Sequence, residues 1–337
     1  MQIDAQHRAL AAQPEVPLLR FQAALGIPIW AFGVSCGLLV FALLMVPAWT
    51  VFGEKALQVA LGNALFFAVS FGILTAFTKP VYRGGAADLR ALKPVLPLPE
   101  ADLECLARGL TRATGRQLSL SIAIGLGVGI VHASIAWQVD GALVYVASQA
   151  TATISLWVFM FTTLSKLILN AALFSRLGAL AEPDLLRPSR QAPFGHAAIR
   201  PGLFLIGILC AFPLLFVGDS QPTNGVWLAL LACLLTLFGI VGMPLRGIRE
   251  RIKQRRVRIL KALDTRLEAM GCRDLGSVSA QELRDMDTIL DMRERVANAP
   301  AWPLDLAGVR RILLYIVLPP LTWAAAAFVE MFIDSAV

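Results

Sequence analysis

The chain has 337 residues, of which 57% are apolar and only 16% charged, with a formal net charge of +7. Soluble domains carry about 25% charged residues, so this composition excludes an ordinary soluble enzyme and predicts an all-α polytopic transmembrane helical bundle. Its five cysteines show no CxxC spacing, which excludes a disulfide framework or a zinc site as the organising element.

Residues 1–26 carry Pro14, Pro17 and several charges but no apolar core. They read as a cytoplasmic segment rather than a cleavable signal peptide. About seven apolar runs then follow, each near the ~20 residues that cross a bilayer as a helix. They occupy 27–52, 56–78, 117–139, 148–175, 201–218, 224–245 and 309–333. Trp30 and Trp49 near the ends of the first run are interfacial aromatics. The domain plan is a six-span region at 27–245 with basic loops at 79–116 and 176–200. A helical segment at 246–300 follows, and 301–337 holds the seventh span and an outer C-terminus.

Lys and Arg accumulate on the cytoplasmic side of a membrane. Seven lie in 79–116, four in 176–200 and fifteen in 246–311, while the connections between these segments hold none or one. The alternation puts the N-terminus in the cytoplasm and the C-terminus in the periplasm of a bacterial inner membrane. The arginine-rich stretch that begins at Arg246 is then a topology determinant and a contact for anionic lipid headgroups. It lacks interleaved aromatics, so nucleic acid is not an expected partner.

Within the third run, Ser121, Gly125, Gly129 and Ala133 recur every four residues and predict one smooth face for close helix packing. The candidate intramembrane polar site draws on few residues. Asn63 and His132 lie at similar depth and could hydrogen-bond. Lys166 lies in the inner half of the fourth run, within snorkelling distance of the cytosolic surface. Pro213 interrupts the fifth run. Pro319 and Pro320 break the last one, which frees carbonyls near Tyr315, with Thr322 at similar depth and Glu330 near the outer end.

Between the sixth and seventh runs, Ile248, Ile252, Ile259, Leu263, Leu267 and Met270 form one helical stripe. Ser279 and Glu282 have the form of a capping box. They open a second helix with Leu283, Met286, Leu290 and Val296 on one side. The first helix carries nine basic and three acidic residues over 246–270, the second five acidic and three basic over 279–298. An antiparallel, coiled-coil-like cytoplasmic hairpin follows, with Ile252, Ile259, Leu283 and Leu290 in its seam. It could hold a second copy or a protein partner.

Three stretches resemble a family of uncharacterised bacterial multi-pass membrane proteins. "SRLGALAEPDLLRPSRQAPFGHAAIRPGLFLIG" is similar to that family's linker, an Arg-Leu motif followed by Asp-Leu-x-x-Pro. "GMPLRGIRERIKQRRVRIL" is similar to its Pro-Leu-x-Gly lead into a charged helix, and "APAWPLDLAGVRRILLYIVLPPLTW" to its Pro-x-Trp-Pro element before the last span. The resemblance implies spans flanking a cytoplasmic helical hairpin, and it implies no activity.

No Walker loop, HExxH, GxSxG or GxGxxG with its context occurs, and His7, His132 and His196 are scattered. No catalytic residue, metal ligand or cofactor is expected. Two functions lead: a channel or transport-type protein with its polar site at the Pro319–Pro320 break, or a non-catalytic scaffold or regulatory partner acting through the hairpin. A membrane enzyme ranks third, since no constellation of acid, base and nucleophile is visible.

Overall fold

The computed structural model describes residues 12–136, 143–217, 224–270 and 279–300, with single positions at 302, 310, 317, 321, 322 and 324. Among the described residues the regular structure is all helical, with no strand and only an isolated bridge between Glu15 and Arg112.

A short helix, α1 (Pro17–Leu25), starts on a proline whose missing N–H costs nothing in the first turn. It stops where Gly26 takes φ 63°. Next come α2 (Ile29–Phe52) and α3 (Ala56–Ala91), joined by a 3₁₀ turn at Gly53–Lys55, where Gly53 has φ 58°. The two helices run antiparallel and in backbone contact. A Cβ on Gly33 would lie 2.8 Å from the Gly72 carbonyl oxygen, and one on Gly37 2.8 Å from that of Ala68. Small residues let helices approach this closely where lipid offers no hydrophobic drive for association.

Helix α4 (Glu100–Leu110) is short and amphipathic, with Leu103, Leu106, Ala107 and Leu110 buried. Glu100 and Asp102 in its first turn and Arg108 in its last favour its dipole. Helix α5 (Gly115–Ala136) pairs with α6 (Leu143–Leu180). Helix α7 (Ala192–Leu209) ends in a 3₁₀ segment, Phe212–Phe216, that contains Pro213. Helix α8 (Asn224–Ala269) is continuous over 46 residues and passes through Pro244, and α9 (Ala280–Asn298) follows.

Among the described residues, five helical runs are long and apolar enough to cross a membrane: Ile29–Ala91, Gly115–Ala136, Leu143–Leu180, Pro188–Phe216 and Leu230–Ala269. The first is the folded-back α2–α3 pair. Their outer surfaces carry large apolar side chains, such as Phe238 at 74% exposure. A soluble monomer rarely shows such an area, and it is compatible with contact to lipid.

Several helices outrun their apolar stretches. At about 1.5 Å per residue, the 46 residues of α8 span about 69 Å, against a hydrocarbon core of ~30 Å. The segment 79–116 is therefore not a loop: α3 continues to Ala91, and α4 follows. At this basic end a second core assembles from Leu89, Leu92, Leu106, Leu110, Phe174, Phe194, Ile248 and Ile252, separate from the core between the apolar halves.

Helix α9 meets α8 near its own C-terminus. Val296 and Ala299 join the basic-end core with Ile248 and Ile252. Arg293 pairs with Asp264 at 2.7 Å, and the Arg256 guanidinium donates to the Ala299 carbonyl. Arg249 stacks over the Trp302 ring at 4.2 Å. Leu283 and Leu290 are 46% and 49% exposed, so the expected seam is only partly filled. The connection 271–278 and most of 309–333, the expected seventh span, lie outside the described residues.

Candidate functional site

The sequence "TTLSK" on α6 places Thr162, Thr163, Ser165 and Lys166 in little more than one turn. Thr162 satisfies its hydroxyl by donating to the Val158 carbonyl at 2.9 Å, the usual way a helix shelters a hydroxyl from an apolar medium. Ser165 and Ser121 of α5 hydrogen-bond across the two helices at 2.8 Å. The Tyr82 hydroxyl of α3 hydrogen-bonds the side chain of Thr163.

Lys166 is 4% exposed. Its Nζ donates to the Gly109 carbonyl oxygen at 2.8 Å, and Asn170 Nδ2 donates to that of Leu110 at 3.4 Å. Gly109 and Leu110 close α4, whose last carbonyls have no partner within the helix. Lysine therefore caps α4 from a neighbouring helix, where its charge also favours the dipole. Snorkelling was the expectation for this side chain. The amphipathic α4, folded over it, encloses the ammonium instead.

An ammonium has three donors, and the Gly109 carbonyl takes one. Among the described residues no carboxylate pairs with Lys166. Beside it lies a half-open cavity of about 210 Å³ between α3, α5 and α6, roofed by Val16, Pro17 and Leu18. Its polar wall is Thr78 and Tyr82 from α3, Gln117 and Ser121 from α5, and Thr162, Thr163, Ser165 and Lys166 from α6. The rest is apolar, including Ile122, Phe159 and Leu169. At ~30 Å³ per water the space holds roughly seven waters, or one solute of a few heavy atoms. The exposed lining is mostly apolar, with a small polar patch that includes Lys166, a setting for a small solute with a hydrocarbon part and one anionic group.

The other expected polar residues go elsewhere. His132 Nδ1 accepts from Trp157 Nε1 at 2.7 Å, and Asn63 hydrogen-bonds Tyr145, so the two have separate partners. Thr322 hydrogen-bonds Cys210 at the end of α7. Tyr315, Pro319, Pro320 and Glu330 lie outside the described residues. Ser121, Gly125, Gly129 and Ala133 are the buried residues of α5. A Cβ on Gly125 would stand 2.7 Å from Val158 Cα, and one on Gly129 2.8 Å from Ile154 Cα.

A second polar group had no reading in the sequence. Asp88 of α3, with its side chain 7% exposed, pairs with Arg200 of α7 at 2.7 Å, with His196 Nδ1 at 3.8 Å. The available signal was local: an acid within a basic segment, and His196 and Arg200 four residues apart on one helix face. This pair ties α3 to α7 at the basic end.

The fold is that of an all-α chain whose long apolar helices are compatible with an integral membrane protein. Comparison with known protein families, curated proteins and solved structures finds no match to the chain.

Proposed function

We propose that this protein is a transport-type integral membrane protein that takes a small organic anion at the Lys166 cavity. The observation that carries the reading is an enclosed ammonium, without a carboxylate partner among the described residues, at the wall of a solute-sized cavity. Removing an ion from water costs several kcal/mol even after relaxation, and an anion in the cavity would offset much of that cost. The topology proposed with it has seven spans in a bacterial inner membrane, the N-terminus and basic segments cytoplasmic and the C-terminus periplasmic. The Pro319–Pro320 break is the proposed continuation of the polar route, since backbone freed at membrane depth must line a cavity or pack on protein.

The test is flux into proteoliposomes for a panel of short mono- and dicarboxylates and inorganic anions. The parent should move at least one of them saturably, and Lys166→Met should abolish that flux while retaining insertion. Ser121→Ala, which leaves α4 capped, should raise the half-saturating concentration. A parent that moves none of the panel, or a Lys166→Met protein with parental flux, contradicts the proposal.

A second reading rests on the half-exposed Leu283 and Leu290 of α9. In it, α8 and α9 form a cytoplasmic hairpin that docks a second copy or a protein partner. Leu283→Glu with Leu290→Glu should then release the assembly on sizing in detergent, with flux unchanged. An unaltered elution position counts against it.

A further inference from the structure

We propose that the cleft where α6 crosses α8 binds the phosphate of an anionic phospholipid headgroup. At the crossing the two backbones touch. A Cβ on Gly178 would lie 2.6 Å from the Ile248 nitrogen, and one on Gly247 would collide with the Ser175 carbonyl. The neighbouring side chains are forced apart around this contact, which leaves a cleft of about 400 Å³. Arg176 from α6 and Arg246 and Arg251 from α8 line it, together with Glu250 and Gln254.

The charges do not cancel within the cleft. Three arginines face one carboxylate, a net of +2. Glu250 accepts a hydrogen bond from Gln254 at 3.2 Å. Arg251 is anchored by donating Nε to the Ala181 carbonyl at 3.2 Å, and among the described residues it pairs with no carboxylate. Among the described residues, Arg176 and Arg246 bond no carboxylate. Guanidinium groups are planar forks that match phosphate oxygens in pairs, and several converging on one cleft make a phosphate site rather than diffuse attraction.

The cleft's position selects a lipid over a soluble phosphate. On α8, residues 230–245 hold no charge, and Arg246 begins the basic stretch. The touching backbones put Arg176 at the same level on α6. Met243, one turn before Arg246 on the same face, and Phe238 are exposed apolar side chains. A headgroup phosphate in the cleft would leave its acyl chains along this surface. This site is independent of the Lys166 cavity and would stand if no solute is carried.

The test uses the full-length protein, delipidated in neutral detergent. Native mass spectrometry and thermal shift would be read with phosphatidylglycerol, phosphatidylcholine, glycerol 3-phosphate and inorganic phosphate. The parent should retain phosphatidylglycerol selectively, and Arg176→Gln with Arg246→Gln should weaken it tenfold or more. Arg255→Gln with Arg258→Gln removes the same charge from exposed positions outside the cleft and should leave binding within twofold. Arg176→Lys keeps the charge without the fork and should fall between, which secures the reading if the double variant folds poorly. Equal loss in both double variants would overturn the site in favour of diffuse attraction. Displacement of the lipid by inorganic phosphate at equal concentration would overturn the assignment to lipid.

Discussion

Gly125 and Gly127 sit two residues apart on α5 and offer opposite responses to the same substitution. An alanine Cβ at Gly125 would lie 2.7 Å from Val158 Cα and 3.0 Å from the Trp157 carbonyl oxygen. Both are backbone atoms on α6, so no side chain can swing away. Carbon–carbon contacts settle near 3.5–4.0 Å, so α5 and α6 must separate by about 1 Å. That movement stretches the Ser121–Ser165 bond and the Trp157–His132 bond on the same interface. Overpacking of this kind costs about 1–3 kcal/mol, so Gly125→Ala should destabilise by that amount. At Gly127 nothing lies within 4 Å. There alanine adds only helix propensity, up to about 1 kcal/mol in favour, and Gly127→Ala should be neutral or stabilising. The assay is thermal or denaturant unfolding in one detergent at matched concentration. Equal shifts for the two variants, in either direction, would refute the packing argument.

Three further outcomes are expected. Burial outweighs the Arg200 contact and pushes the Asp88 carboxyl up to about 6, so Asp88→Asn, which leaves a 36% exposed Arg200 side chain facing a neutral amide, should cost no more than about 1 kcal/mol, and a double-mutant cycle with Arg200→Gln measures the coupling. Ser279→Ala removes the capping box at the start of α9, costs about 1 kcal/mol locally, and should speed amide exchange in that helix's first turn. The hydrogen bonds from Arg90 hold the Glu104 carboxyl below its ordinary value near 4.5; this depressed group contributes stability above that value and loses it as pH falls through the lower folded one. Because the pair is exposed, the loss should stay within ~0–1 kcal/mol, and Glu104→Gln should flatten this part of the acid limb.

What the sequence reveals here depends on how local the cause is. The small face of α5 needs only a spacing of four and was legible, as was the capping box at Ser279–Glu282. Within the described residues the apolar runs fall on long helices but miss their ends, because α3, α6 and α8 continue where hydropathy falls and charge rises. The short α4 hid inside a basic segment, since its stripe of Leu103, Leu106, Ala107 and Leu110 is only two turns long. Without α4 the burial of Lys166 could not be seen, for its partner Gly109 lies 57 residues away. The Asp88–Arg200 pair spans 112 residues and likewise leaves no periodic trace. Pairings of that separation are set by which helices meet, and single-residue patterns do not carry that information.

The central claim is that the Lys166 cavity holds a small anion, and equilibrium binding tests it without any assumption about flux. Isothermal titration of the full-length protein in nanodiscs with short carboxylates should give one saturable site. It should vanish in Lys166→Met and weaken in Ser121→Ala. If the parent binds no anion of the panel, or if Lys166→Met binds as the parent does, the ammonium serves only to cap α4 and the account is wrong.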